Sequence, residues 1–139
     1  MSRSLLLLAS LLLTSHVFAD SLRIENAWSP EAPPTARVMA GYMVIHNPGN
    51  QELLIEKVSS PQFKSVEMHR TLETDGMYRM EWQLHIHVPP GEPTLLEPGA
   101  KHLMLINPVK PLKAGDSIEL TLHLSNQQTQ TVIATVRKP

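Results

Sequence analysis

Methionine and histidine are the residues of this sequence whose types and spacing could do chemistry. The 139-residue chain has seven Met, seven His and no Cys. Ten residues separate His69 from Met80, twenty-one more precede His102, and Met104 follows after a single residue. Thioether sulfur and imidazole nitrogen both suit copper, and Met selects the soft Cu(I) ion. His69, Met80, His102 and Met104 are therefore candidate ligands of one metal ion.

The four candidates differ in how well their neighbours support a ligand role. A strand would place His102 and Met104 on one face, about 6 to 7 Å apart. His69 by itself is typical of a surface strand histidine, so its interpretation depends on its spacing to the others. Met80 has an alternative as a core residue, because it begins an alternating apolar series typical of a buried strand face. That series is Met80, Trp82, Leu84, Ile86 and Val88.

The remaining Met and His residues have simpler interpretations. His85 and His87 would share a polar strand face, which favours solvated side chains over a weak second metal site. Met77 follows the Asp75-Gly76 turn and could be an exposed spare ligand. The others are expected to pack or to be structural, and these are Met39, Met43, Met68, His46 and His123.

The spacing resembles the motif of the periplasmic copper-binding family called PCuAC, which is His, ten residues, Met, twenty-one residues and His-x-Met. Other similar segments are Asn26-Ala27-Trp28, Pro33-Pro34, Gly41 to Asn47, Val66-Glu67-Met68-His69, Leu96-Glu97-Pro98-Gly99 and Lys113-Ala114-Gly115-Asp116. The resemblance covers essentially all of residues 20–139. Val88-Pro89-Pro90-Gly91 departs from the Pro-Ala-Gly that relatives more often carry, but this turn bears no candidate ligand. The C-terminus lacks a His/Met-rich tail, so an auxiliary Cu(II) site there is unsupported.

The resemblance implies both a fold and a role. The fold would be cupredoxin-like, and one Cu(I) would be bound by His69, Met80, His102 and Met104. The role would be delivery of Cu(I) in the periplasm, toward the copper centres of cytochrome c oxidase. A thioredoxin-fold assembly factor would be the cooperating partner. Four filled ligand positions and the lack of a nucleophile signature point to a carrier rather than an enzyme.

Three alternatives remain beside this interpretation. The chain could be an exported β-sandwich interaction module without a metal, or a periplasmic copper scavenging or storage protein. A blue-copper electron carrier is disfavoured, because its metal site takes a Cys thiolate and this chain has no Cys.

Composition excludes several other classes of protein. Twelve Lys and Arg against thirteen Asp and Glu give a formal charge of -1, with no basic run, so nucleic acid is not an expected partner. The lack of Cys excludes disulfides, zinc fingers and thiol catalysis. The length and the 42% hydrophobic content predict one folded domain.

The first nineteen residues predict a secretory signal peptide. Arg3 is followed by an apolar run from Leu5 to Leu13 and by Val17-Phe18-Ala19 before Asp20. The run is shorter than the roughly 20 residues of a membrane-spanning helix, although an uncleaved anchor is the alternative. We therefore expect residues 20–139 to be an exported copper-binding domain with no membrane span after cleavage.

Pro and Gly turns divide the rest into short runs rich in β-branched residues, which predicts seven to nine strands and little or no helix. The runs are Leu22 to Trp28, Val38 to His46, Leu53 to Val58, Val66 to Leu72, Met77 to Val88, His102 to Ile106, Ser117 to Leu124 and Thr131 to Val136. Their spacing favours an antiparallel β-sandwich or barrel. With the resemblance, the expected class is an all-β, cupredoxin-like antiparallel Greek-key β-sandwich or barrel.

Overall fold

The structure is a computed structural model and describes residues 21–139. The predicted signal peptide at residues 1–19 lies outside the described residues. Ten strands and no helix make up this range, and the all-β prediction is confirmed. The strands are β1 Arg23–Pro30, β2 Val38–His46, β3 Leu53–Ser59, β4 Phe63–Thr74, β5 Met77–Trp82, β6 Ile86–Val88, β7 Thr94–Leu96, β8 Lys101–Pro108, β9 Ser117–Leu124 and β10 Thr129–Arg137. No helix long and apolar enough to cross a membrane occurs in the described range.

The strands form one sheet in the order β5-β4-β8-β7-β2-β1-β10-β9-β3-β6. The pairings are antiparallel except for two, since β1 lies parallel to β10 and β7 parallel to β8. β3 and β4 stand near opposite ends of this order and are nevertheless in contact. The sheet is therefore bent around a core, and β5, β4 and β8 are neighbours at one of its ends.

Two of the predicted strands, β2 and β9, have the bounds that the sequence indicates. The run Met77 to Val88, predicted as one strand, is instead divided into β5 and β6. It divides because β5 pairs with β4, whereas β6 pairs with β3 at the far end of the sheet. β7 has no counterpart among the eight predicted runs, because its three residues are too few to show a period. The division and β7 together bring the count to ten strands, where seven to nine were predicted.

Alternation along the strands decides which side chains enter the core. In β9 the apolar series Ile118, Leu120, Leu122 and Leu124 is buried throughout. In β8, Leu103 and Leu105 have no exposed surface. Gly41 on β2 lies opposite Leu103, and a Cβ at Gly41 would come within 3.2 Å of the Leu103 Cβ. Because successive side chains point to opposite faces, His102 and Met104 lie on the face of β8 that points away from this core.

Candidate metal centre

Three adjacent strands bring the four candidate ligands to one face of the sheet. His69 on β4 lies directly opposite His102 on β8, and their ring centroids are 5.8 Å apart. Met104 follows two residues later on β8. Met80 on β5 lies opposite Thr71, which is two residues from His69 on β4. Directly opposed residues and residues two apart share a face, so all four side chains do.

A cavity of about 250 Å³ opens on this face. Three of the four candidates line it, and His69 flanks it beside the His102 ring. The full lining is Val38, Met39, Ala40, Tyr42, Thr71, Met80, Gly99, His102, Leu103 and Met104. Burial raises the pKa of the Tyr42 phenol above its usual value, so this group stays neutral near pH 7.

His102 is oriented by the backbone of its own strand approach. The side chain is buried, and its Nδ1 lies 3.1 Å from the carbonyl oxygen of Ala100. A carbonyl oxygen only accepts hydrogen bonds, so Nδ1 carries the hydrogen in the neutral ring. The Nε2 lone pair is then free to bind a metal, in the arrangement that metal-ligating histidines usually show.

His69 is oriented by a carboxylate. Its Nε2 lies 2.7 Å from Oε2 of Glu67, so in the neutral ring Nε2–H donates to that oxygen. The other ring nitrogen, Nδ1, is buried and has no hydrogen-bond partner. A buried polar atom without a partner is costly, and a bound cation would satisfy the Nδ1 lone pair. The chemistry of His69 therefore fits a metal ligand.

The exposure of Met80 settles one alternative from the sequence. Met80 is 61% exposed, so its interpretation as a core residue is wrong. The apolar series that suggested it divides after Leu84: Trp82 and Leu84 are exposed, whereas Ile86 and Val88 are buried. The reason is that β5 is at the edge of the sheet and its outward face has no layer packed on it, while β6 returns to the core.

The donor set defines what the face could hold. It comprises two imidazoles, each with one nitrogen already hydrogen-bonded, and two thioethers. Within residues 21–139 there is no group of three or more His, Cys, Asp or Glu that could hold a metal ion. Neutral nitrogen and sulfur donors suit a soft cation of low charge better than a hard divalent ion.

Glu67 is the site residue that sequence reasoning missed. It lies opposite Met104 and two residues before His69 on β4, so it shares the face of the candidate ligands. The sequence did contain a signal for Glu67, because side chains two residues apart on a strand point to the same face, and Glu67 precedes His69 by two residues. The Ala100 carbonyl had no such signal, since its contact depends on the turn before β8.

Of the other Met and His residues in the range 21–139, Met39 lines the same cavity and the rest do not. Met39, Met43 and Met68 are buried, which confirms that they pack, and Met77 is 75% exposed. His87 Nδ1 lies 2.8 Å from Glu52, and His85 lies in the connection between β5 and β6. His85 stands one residue before β6, and its Nδ1 is buried without a hydrogen-bond partner, whereas the side chain of His87 is exposed as expected. His46 and His123 make hydrogen bonds with Glu25 and Ser59, respectively, and the bond with His46 lowers the pKa of the Glu25 carboxyl.

Comparison with known proteins shows similarity over nearly all of the described domain. The family model "Putative lipoprotein LpqE-like" matches residues 22–136. "Putative lipoprotein Lxx21020" of Leifsonia xyli subsp. xyli is 28% identical over 120 residues, which are 86% of this chain and 71% of that protein. "Uncharacterized protein RP573" of Rickettsia prowazekii is 27% identical over 111 residues, which are 75% of this chain and 61% of that protein.

Solved structures are similar as well. The "Copper-bound PCuAC domain from PmoF2" has a TM-score of 0.73 at 24% identity, over 88% of this chain and 97% of that one, and this likeness shows the fold. The solution structure of CuI-DR1885 from Deinococcus radiodurans has a TM-score of 0.67 at 28% identity, over 83% of this chain and 76% of that one. The cupredoxin-like class is thereby confirmed, and the chain belongs to the LpqE-like family, which is the PCuAC family.

Proposed function

We propose that this protein is a periplasmic copper chaperone that binds one Cu(I) through His69, Met80, His102 and Met104 and delivers it to a partner. The observation that supports this proposal is the meeting of the four spaced residues on one face of β5, β4 and β8. The oriented rings of His69 and His102 add to it, because a ring held by one nitrogen presents the other to a metal.

The comparisons support copper as the metal. The DR1885 structure is described as CuI-bound, and the PmoF2 domain is described as copper-bound. Both are PCuAC structures with the fold of this chain. The donor types of the candidate site agree with this metal, because thioethers select Cu(I).

The ligand set fits carriage rather than catalysis. Four neutral donors leave a Cu(I) complex with a net charge of +1 and without a thiolate to retain the ion. They also fill a tetrahedral site, so no position remains for a substrate or water, which a catalytic metal keeps. A site of this kind favours transfer to an acceptor that offers stronger ligands, and we infer that the protein is not an enzyme.

Location and partners complete the proposal. The signal peptide predicted at residues 1–19 supports export to the periplasm. The family resemblance supports a thioredoxin-fold assembly factor and a cytochrome c oxidase subunit as partners. A transfer experiment tests this role: Cu(I)-loaded protein is mixed with a copper-free, soluble copper domain of the oxidase, and the copper in each is measured after separation. Copper should move to the oxidase domain, whereas its retention would indicate scavenging or storage.

Metal selectivity gives a first prediction for the site. Because the set has two soft thioethers and no oxygen ligand, we expect 1:1 binding of Cu(I), replacement by Ag(I) and much weaker binding of Zn(II). Competition against chelators of known affinity for each ion measures this order. Comparable affinities for Zn(II) and Cu(I) would contradict the thioether assignment, and a failure to bind Cu(I) at all would favour the metal-free interaction module.

Trp82 provides a built-in probe of occupancy. Its side chain lies opposite His69 on the face of the candidate ligands and is exposed. A metal ion bound there should change the indole emission, with the change complete at one equivalent of Cu(I). Trp28 packs against Tyr42, which lines the same cavity, so the matched control is Trp82→Phe. If the Trp82→Phe variant keeps the full change in emission, the ion does not lie near Trp82.

A further inference from the structure

β5 is an unpaired sheet edge that carries large apolar side chains. It ends the strand order, and within the described residues it pairs only with β4. Met77, Tyr78, Met80 and Trp82 on this strand are each more than half exposed. Exposed edges are usually protected from pairing with another chain by charged side chains, Pro or a bulge. The six residues of β5 contain no Lys and no Pro, and their two charged residues, Arg79 and Glu81, have opposite signs.

The main-chain groups of β5 that remain free can be assigned. Gln83 N–H, just beyond β5, donates to the carbonyl oxygen of Met68 on β4 at 2.8 Å. In an antiparallel ladder only every second residue exchanges hydrogen bonds with a given neighbour. Glu81 and Arg79 precede Gln83 by two and four residues, so they also direct their N–H and C=O groups toward β4. Tyr78, Met80 and Trp82 direct theirs away from the sheet.

We propose that β5 pairs antiparallel with β5 of a second copy of this chain, with Met80 opposite Met80. This register joins the free main-chain groups of the two edges. Met80 forms a hydrogen-bonded pair with its counterpart, and Tyr78 does so with Trp82 of the second copy. Aromatic pairs at such opposed positions add to the stability of a sheet.

The charges on the other face of β5 select this register. Arg79 would lie opposite Glu81 of the second copy, and Glu81 opposite its Arg79. Two other registers are possible. A register centred on Arg79 would place the Arg79 residues of the two copies opposite each other, and a register centred on Glu81 would place the two Glu81 carboxylates opposite each other. Like charges directly opposite each other destabilise a sheet. The sequence around Met80 is therefore self-complementary in charge, and this complementarity identifies a second copy as the occupant.

The dimer should be weak, because pairing one six-residue strand buries less than the roughly 1,200 Å² of a standard interface. We expect it to dissociate on dilution and to form at high protein concentration. The inference does not depend on the copper proposal, since it follows from the edge alone.

Single cysteines test the register in copper-free protein of residues 21–139, because the chain has no other Cys. In Met80→Cys the two Cα atoms would be about 5.5 Å apart, which a disulfide can bridge. In the matched control, Met77→Cys, the substituted residue is at least as exposed as Met80 but would be about 20 Å from its counterpart. Under mild oxidation the Met80→Cys variant should form covalent dimer at least about tenfold faster. Equal rates of crosslinking would overturn the register.

Charge reversal tests the pairing without cysteine. Arg79→Glu or Glu81→Arg makes both cross-strand pairs repulsive, so each should weaken dimerisation by about tenfold. The double variant R79E/E81R restores opposite charges and should restore the dimer, whereas Lys110→Glu, far from β5, should not change it. Sedimentation across a range of concentrations measures all four variants. A monomer at every concentration overturns the proposal, as does a dimer that ignores these charges, which would indicate another surface or another partner for β5.

Discussion

Replacing His102 or Met104 by Ala should weaken Cu(I) binding by at least about 100-fold, the upper end of what loss of a residue supporting a metal ligand causes. Both residues lie on β8, two apart, and both line the cavity. Each substitution removes one of four proposed donors and leaves no nearby replacement on that strand. Competition with a Cu(I) chelator measures the loss.

The matched control is the double variant His85→Ala/His87→Ala. These histidines lie outside the cluster formed by β5, β4 and β8, so their loss should leave the Cu(I) affinity unchanged. Equal losses in the two sets of variants would mean that the wrong histidines have been assigned. Far-UV circular dichroism on every variant separates a lost ligand from a lost fold.

Replacing Leu103 by Ala should lower the free energy of unfolding by about 2–5 kcal/mol, the usual cost of truncating a buried Leu. Leu103 has no exposed surface and lies between the two proposed ligands on β8. It also lies opposite Gly41 on β2, where an added Cβ would come within 3.2 Å of the Leu103 Cβ. The cavity left behind should therefore destabilise the strand that holds half of the site.

Leu95→Ala is the matched control for this prediction, because Leu95 is 43% exposed on the neighbouring strand β7. Its free energy of unfolding should change much less than that of Leu103→Ala. Urea denaturation measures both variants. Similar losses would contradict the assignment of the core to the face of β8 that carries Leu103.

The strands that bury one face could be predicted from the sequence. The strand bounds and side-chain exposures that depend on pairing with strands distant in the sequence could not. Alternation in β9 gave its bounds and its buried residues, because one face meets the core and the other meets solvent. The same rule put His102 and Met104 on one face. It failed for Met77 to Val88, since a continuous apolar alternation does not show that the chain changes its pairing partner after Trp82.

The site could be anticipated only as a set of residue types at a given spacing. No local pattern states that His69 lies opposite His102, because the register between β4 and β8 is fixed by long-range packing. The exposure of Met80 likewise depends on β5 being the sheet edge. Glu67 was within reach of the two-residue rule, but a carboxylate without a known partner does not stand out in a sequence.

The most direct test of the copper proposal is the NMR spectrum of the methionine methyl groups during a Cu(I) titration. The account predicts that the Met80 and Met104 methyl resonances shift until one equivalent is bound. The buried Met43 and Met68, which do not line the cavity, should hold their positions, and so should the exposed Met77. Unchanged Met80 and Met104 resonances, or a shift confined to Met77, would contradict the assignment of the site.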